Sequence, residues 1–309
     1  MTSVIVNRPR QALGQESGVA LLQVLLLGAV MSLIAIRFTE TAHNQVAISG
    51  QIEDRVRAQL AAHSVSREVI FLKLSSSIEA RQLDAAALEL PSEGRLRVNG
   101  YGESIVWREG VEVSLQDLNG LLPQIFPGHP FWHRFLSRKS IEMEQIRKYI
   151  GVWEDIQDSD TDSWQIGGVE PVTLPTGEGY LNGYAQNDKV IRWVFQDRPD
   201  LLSELLVVSD VHGKFDTNPA NYSNSLLNAL FDEDIAANVI SQRESSKLER
   251  AKLNLLFPEE LNKNYVVNYN SNGFKLNIHV EHGAARWHAL HTIILNAGNN
   301  PPYKLILNN

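Results

Sequence analysis

From Val19 to Ile36 the chain runs for eighteen residues without a formal charge, directly behind a polar leader that carries Arg8 and Arg10 and ends in Gly18. As a helix this run is about 27 Å long at about 1.5 Å per residue, enough to cross the hydrocarbon core of a bilayer. The flanks constrain it further. A secretory signal peptide ends its apolar part at a small-x-small cleavage site and is then lost. Here the obvious processing point is the Gly18–Val19 bond, ahead of the apolar run, in the context Gln15-Glu16-Ser17-Gly18-Val19-Ala20-Leu21-Leu22. Cleavage there removes the basic leader and leaves the hydrophobic helix as the mature N-terminus. The same segment also suits an ordinary signal anchor. Both readings keep the arginine-bearing leader in the cytoplasm and place everything after about residue 37 outside it.

The 309 residues are ample for one or two domains with real cores, and 43% hydrophobic content excludes a disordered chain. A net charge of −8 and the lack of a basic face make nucleic acid an unsuitable partner, while leaving room for divalent cations. With no cysteine there is no disulfide framework, no thiolate metal site and no thiol nucleophile.

Helical character continues past the apolar run to about Leu74, with Gly50 as the one breaker. Ile52, Val56, Leu60, Val65, Val69 and Leu72 recur at three- and four-residue steps between charged residues, which predicts an amphipathic continuation of the same helix. Pro91-Ser92-Glu93-Gly94 closes this region. Strand patterning follows at Leu96–Val98, Ile105–Trp107 and Val111–Leu115, with a hairpin turn at Arg108-Glu109-Gly110. Residues 129–137, 140–152, 198–208, 222–231, 233–242 and 245–256 read as helices. Strands return at Tyr265–Tyr269, Phe274–Val280, Ala285–Leu295 and Tyr303–Leu307. Strands on both sides of a helical block predict an α+β fold: one antiparallel sheet domain carrying a large helical insertion.

The opening resembles a prepilin-type signal, and the order of features resembles general secretion pathway protein K, the large minor pseudopilin of type II secretion systems. The Gly-Val-Ala-Leu-Leu opening is similar to that family's signal. The strand at Val111 ends in Asp117-Leu118-Asn119-Gly120, similar to the family's Asp-x-x-Gly. Asp155-Ile156-Gln157-Asp158-Ser159-Asp160 is similar to its Asp-Trp-Ile-Asp-x-Asp motif, and Ser203-Glu204-Leu205 to its Ser-Glu-Leu segment. Asn264–Leu295 resembles its terminal hairpin. The departures mark a divergent member: Ile156 stands for the usual Trp, and the Asn-Leu-Asn run after Gly120 is missing. Most pilin-like subunits carry Glu at the fifth mature position, and Gln23 stands there; members of this branch lack that Glu too.

The resemblance implies a pilin-like long N-terminal helix packed on an antiparallel β-sheet, divided as a leader over 1–18, a membrane-spanning part over 19–36, a first sheet-domain part over 37–120, a helical domain over 121–263 and closing strands over 264–309. It implies a structural subunit at the tip of the periplasmic pseudopilus, anchored by a single pass in a bacterial inner membrane. Its helices would pack with those of I- and J-type minor pseudopilins, after a prepilin peptidase has cut at Gly18 and Val19. It further implies bound calcium near the acidic turn. Asp158, Asp160 and Asp162 can offer hard oxygen ligands from alternate positions, with Glu170 as a further ligand and Glu178 as its rival. The turn is not an EF-hand, because Ser163 and Val169 stand where its Gly and Glu belong.

No catalytic residue is predicted. Asp210-Val211-His212 has the Asp-x-His pattern of metallophosphoesterases, but the further ligand segments of a two-metal cluster are missing, and a turn after a helix explains the residues as well. His279, His282, His288 and His291 fall in segments of strand composition and read as residues of a half-exposed sheet face. A minor pilin of a type IV pilus is the alternative within the class, and a membrane-anchored periplasmic phosphoesterase the alternative outside it.

Overall fold

One helix of 60 residues, α1 (Glu16–Ser75), carries both the apolar run and its continuation without a break. Gly50 lies inside it with nothing crowding its Cα, so it costs the helix only the roughly 1 kcal/mol expected of an exposed glycine. In this computed structural model the described residues are 16–75, 83–84, 97–160, 162–163, 183–244, 265–267, 270–296 and 298–307. After α1 come the short strands β1 (Leu83–Asp84) and β2 (Arg97–Val98), then β3 (Tyr101–Arg108) and β4 (Val111–Asp117). The helical block contains β5 (Leu122–Pro123), α2 (Pro130–Arg138), α3 (Met143–Gln157), α4 (Lys189–Val194), α5 (Pro199–Val208), β6 (Ser209–Asp210), α6 (Asn224–Leu230) and α7 (Glu233–Glu244). β7 (Gly273–His282), β8 (Ala285–Leu295) and β9 (Tyr303–Leu307) complete a five-stranded antiparallel sheet in the order β3-β4-β7-β8-β9.

Alternation builds this sheet. Val111, Val113 and Leu115 of β4 and Phe274, Leu276, Ile278 and Val280 of β7 point to one face and are buried against α1, while Glu112, Ser114, Lys275 and Asn277 take the other. The β3–β4 turn works because Gly110 adopts φ +70°, and a side chain there would collide with the Glu281 carbonyl. On α1 the buried row is Ala58, Ala62, Val65, Val69 and Leu72, so half of the predicted stripe is corrected: Ile52, Val56 and Leu60 face outward. Both rows have helical spacing. The row with two alanines lets the helix axis come closest to the sheet, and it is the one that packs.

The helical block has its own core, centred on Trp132, Trp153, Phe135, Phe195, Tyr222 and Phe231. The indoles of Trp132 and Trp153 meet edge to face at 4.9 Å, a geometry that adds to the area they bury. Several elements differ from the sequence reading. α3 runs to Gln157 rather than ending near 152, α4 was not foreseen, and neither was the parallel pairing of β5 with β6. The expected strand at 265–269 is reduced, in its described part, to a single bridge between Val266 and Thr217. The helix expected over 245–256 lies outside the described residues.

His129 caps α2 and gives the fold a pH dependence. Its Nδ1 accepts from the Phe131 amide at 3.2 Å and its Nε2 meets the Phe215 carbonyl at 3.0 Å, so the hydrogen-bond network assigns it the neutral Nε2–H tautomer. Burial lowers its pKa from 6.5 to about 4, although the Phe215 carbonyl favours the charged form. Above pH 6.5 the ring is neutral in both folded and unfolded chains. Between pH 6.5 and 4 only the unfolded chain takes up the proton, so stability falls with pH by up to about 3 kcal/mol and then levels off. Chemical denaturation of wild type and His129→Asn at pH 7 and pH 4.5 should show that loss in the wild type and a smaller one in the variant, which keeps a capping side chain without the titration.

Candidate functional sites on the long helix and the acidic turn

Every residue from Val19 to Ile36 is exposed, and no described residue lies against this stretch, which is long and apolar enough to cross a membrane. Within it, Ser32 Oγ donates to the Gly28 carbonyl at 2.8 Å, and just beyond it Thr39 Oγ1 donates to the Ala35 carbonyl at 2.9 Å, so these hydroxyls are satisfied within the helix. The Gly18–Val19 bond lies near the start of α1, and Val19 and Gln23 are exposed. Beyond the apolar run, Val46, Ile48, Ile52, Val56 and Leu60 continue as exposed apolar residues down the same helix. A soluble helix would bury such a row.

At the end of α3 the chain turns through the acidic residues. Asp155 is only 1% exposed; its Oδ2 accepts from Ser163 Oγ at 3.2 Å, while its Oδ1 is buried without a hydrogen-bond partner among the described residues. Asp158 also has a buried Oδ1 with no partner among the described residues. Burial, and then the Asp160 carboxylate, raises the pKa of Asp158. Burial, with Asp155 and Asp158 adding to it, does the same for Glu154. Asp160 and Asp162 are exposed, with the Asp162 amide donating to Asp160 Oδ1 at 2.9 Å in a turn of the local chain. Among the described residues no three His, Asp or Glu side chains converge as a metal cage, so Asp158, Asp160 and Asp162 are not brought together. Glu170 and Glu178 lie outside the described residues. The concentration of charge sits one turn earlier than the sequence reading put it, at Glu154, Asp155 and Asp158. Its signal was an acid within the buried row Ile146, Ile150, Trp153 and Ile156 of α3.

The Asp-x-His residues serve a joint. Asp210 forms an ion pair with Lys275 of β7 at 2.7 Å, and its Oδ1 accepts the His212 amide at 2.8 Å. Burial lowers the pKa of His212, with Asp210 opposing and nearby lysines adding to the shift. The C-terminal histidines divide between the two sheet faces. His279 stacks on His288 at 4.4 Å on the outer face, where His288 Nε2 meets Asn277 Oδ1 at 2.5 Å, whereas His291 is buried on the α1 side, where burial and then His63 lower its pKa.

The Asp-x-x-Gly segment forms a second joint. Asp117 Oδ1 accepts from the Asn119 amide at 3.1 Å and the Ser271 amide at 3.0 Å. Asn221 Nδ2 donates to Asn119 Oδ1 at 3.1 Å and to Asn270 Oδ1 at 3.0 Å. Arg243 of α7 reaches the same region: it donates to the Tyr222 carbonyl and stands 4.1 Å over the Tyr101 ring of β3. Three separated chain segments thus lock the helical block to the sheet.

No protein-family model matches the chain, and no curated protein matches it in sequence. A solved structure matches it in fold. The chain is similar to a chain in the crystal structure of the GspK-GspI-GspJ complex from the type 2 secretion system of enterotoxigenic Escherichia coli, with a TM-score of 0.53 over 81% of this chain and 94% of that one, at 14% sequence identity. The fold is GspK-like. The long N-terminal helix, the antiparallel sheet and the further helices are the shared architecture, and the low identity agrees with a divergent sequence.

Proposed function

We propose that the chain is a minor pseudopilin of a type II secretion system, a structural subunit at the tip of the periplasmic pseudopilus. The observation that carries this reading is α1: one unbroken helix whose first part is membrane-compatible and whose continuation keeps an outward apolar row before packing on a GspK-like domain. Prepilin peptidase cuts between Gly18 and Val19, and the mature protein is held in the inner membrane by residues 19–36 with its main domain in the periplasm. The rows around Ile52, Val56 and Leu60 meet the corresponding helices of I- and J-type subunits. Gln23 suits the apex, where no subunit above presents an amine for a carboxylate to meet. In the source cell, deleting the gene should abolish release of secreted enzymes, and photo-cross-linkers at Ile52, Val56 and Leu60 should capture other pilin-like subunits. Intact enzyme secretion with a loss of surface pili would overturn the reading in favour of a type IV pilus.

We also propose that the acidic turn binds calcium. The buried oxygens of Asp155 and Asp158, which have no partner among the described residues, fit a hard cation, which takes carboxylate oxygens without needing donors around them. Glu154, Asp160 and Glu170 are the further oxygen donors on this reading. Bound Ca²⁺ would offset both the burial and, after it, the mutual repulsion that raise the Asp158 and Glu154 pKa values. At a hundredfold excess over the dissociation constant it would stabilise the fold by about 2.7 kcal/mol. The protein in detergent micelles should therefore melt higher in Ca²⁺ than in chelator, with Mg²⁺ a poor substitute. The double variant Asp158→Asn, Asp160→Asn should lose most of that difference, and identical melting with and without calcium would leave an ordinary acidic turn.

A further inference from the structure

The outer face of the sheet carries two histidines directly opposite each other. His279 of β7 and His288 of β8 are register partners, and both are exposed. The Leu295 amide donates to the Asn272 carbonyl, so the odd-numbered residues of β8 are the ones that exchange ladder bonds with β7. His288 is even-numbered, which makes 279–288 a non-hydrogen-bonded pair, the kind with the shorter Cα separation of about 4.5 Å. The two rings stack with centroids 4.4 Å apart and planes inclined by 17°.

The surroundings hold this pair in place. The β7–β8 hairpin turns through Gly283 at φ +56°, and the Ala284 amide donates to Asp54 Oδ2 of α1 at 3.0 Å, so the strands that carry the rings are tied to the long helix. Asn277 Oδ1 lies 2.5 Å from His288 Nε2. A carboxamide oxygen accepts and does not donate, so the network assigns the proton to Nε2 and the lone pair to Nδ1. Metal-binding histidines are oriented in this way, giving the ring N–H that faces away from the ion to an oxygen acceptor. Among the described residues neither His288 Nδ1 nor the His279 ring has a hydrogen-bond partner.

Without a ligand the pair is a weak cross-strand contact. Opposed imidazoles repel each other whenever both are protonated, whereas a cation between neutral rings is attracted to both. Glu112 of β4, the partner of His279 on its other side, adds negative charge to the face. Glu281 and Arg286, one rung nearer the turn, pair with each other at 3.1 Å and cancel. Neutral imidazole nitrogen suits Zn²⁺, Cu²⁺ and Ni²⁺, while Ca²⁺ and Mg²⁺ take oxygen. Two metal–nitrogen bonds of about 2.0–2.1 Å at a tetrahedral angle put the nitrogens about 3.4 Å apart, so the stacked rings need tilt by only about 1 Å at their edges. Among the described residues no third His, Asp or Glu joins them, which leaves the other coordination positions to water.

We propose that His279 and His288, the latter through Nδ1, form a two-imidazole site for a borderline divalent transition metal ion, with Cu²⁺ held more tightly than Zn²⁺. The bound ion clips β7 to β8 across the outer face of the sheet.

Carbethoxylation of the untagged full-length protein in non-ionic detergent micelles, read by peptide mass spectrometry, tests this one histidine at a time. Diethylpyrocarbonate attacks a free imidazole nitrogen and spares a coordinated one. His43, exposed on α1, serves as the internal control. At about pH 7.5, excess Zn²⁺ should lower modification of His279 and His288 by at least about fivefold and leave His43 unchanged. Cu²⁺ should do the same at a lower concentration, and Ca²⁺ should protect neither. In His288→Asn the protection of His279 should vanish, and in His279→Asn that of His288, so either variant serves if the other fails to fold. The proposal is overturned if Zn²⁺ and Cu²⁺ protect neither histidine, or if Ca²⁺ protects them equally. Equal protection of His43, or protection that survives in the variants, overturns it too, because a lone imidazole then accounts for the binding.

Discussion

A protein carrying Gly18→Glu is expected to accumulate wholly with its leader attached, whereas the wild type should begin at Val19. A peptidase that cuts ahead of an apolar helix has to seat the residue before the scissile bond close to the membrane surface, and the bond here lies near the start of α1, ahead of eighteen uncharged residues. A glutamate side chain brings both bulk and a charge that resists desolvation at that point. Gly18→Ala adds a single methyl group and should still be processed. Intact-mass measurement of the membrane-extracted protein separates the three forms. The consequence reaches assembly, because an unprocessed chain keeps its basic leader where the mature protein offers a helix N-terminus to the membrane interior. Met1 retained in the wild type, or processing of the glutamate variant, would refute the proposed maturation.

The parts of this fold legible in the sequence are those with a period. The alternation of Val111, Val113 and Leu115 and of Phe274, Leu276, Ile278 and Val280 marks both strands and their buried face, and the structure keeps that face. The helices at 130–138, 199–208 and 224–230 follow a proline or serine start and an apolar repeat, and appear within one or two residues of their expected bounds. The two-residue strands β5 and β6 have no period to read, and their pairing joins residues 87 positions apart in the chain, as the Leu122–Ser209 partnership shows. On α1 the spacing admitted two rows, and only the approach of the sheet decides between them. The site residues were less legible for a similar reason. Asp210 looks like a metal ligand until Lys275 is placed beside it, and Asp155 looks like part of a helix motif until its Oδ1 is found buried without a partner among the described residues. Sequence proximity grouped Asp158, Asp160 and Asp162. Helix geometry instead keeps Asp155 and Asp158 together, three residues apart at the end of α3, and lets the other two turn toward solvent.

The Asp-x-x-Gly segment carries the largest expected loss of stability. Asp117 is fully buried, and burial raises its pKa while Lys73 of α1, itself largely desolvated, pulls it back down. Asp117→Ala would leave the Asn119 and Ser271 amides without their acceptor and Lys73 without its opposing charge, a loss of about 3–5 kcal/mol. Asp117→Asn keeps an acceptor at Oδ1 and removes only the charge, so about 1–2 kcal/mol is expected of it. Gly120 is constrained by space: a Cβ there would overlap the backbone carbonyl of Asn221, which cannot withdraw because Gln116 Nε2 donates to it at 2.8 Å and the Asn221 side chain is tied to Asn119 and Asn270. Gly120→Ala must therefore push the 219–221 turn away from the sheet, costing about 3 kcal/mol or more. Denaturant unfolding would rank the variants as Asn mildest, with Ala at 117 and Ala at 120 severe. Hydrogen exchange would add a spatial signature, since loosening this joint should expose amides near residues 219–222 and 270–273 before those of β4. Wild-type stability in Gly120→Ala would mean that the segment does not clamp the helical block to the sheet.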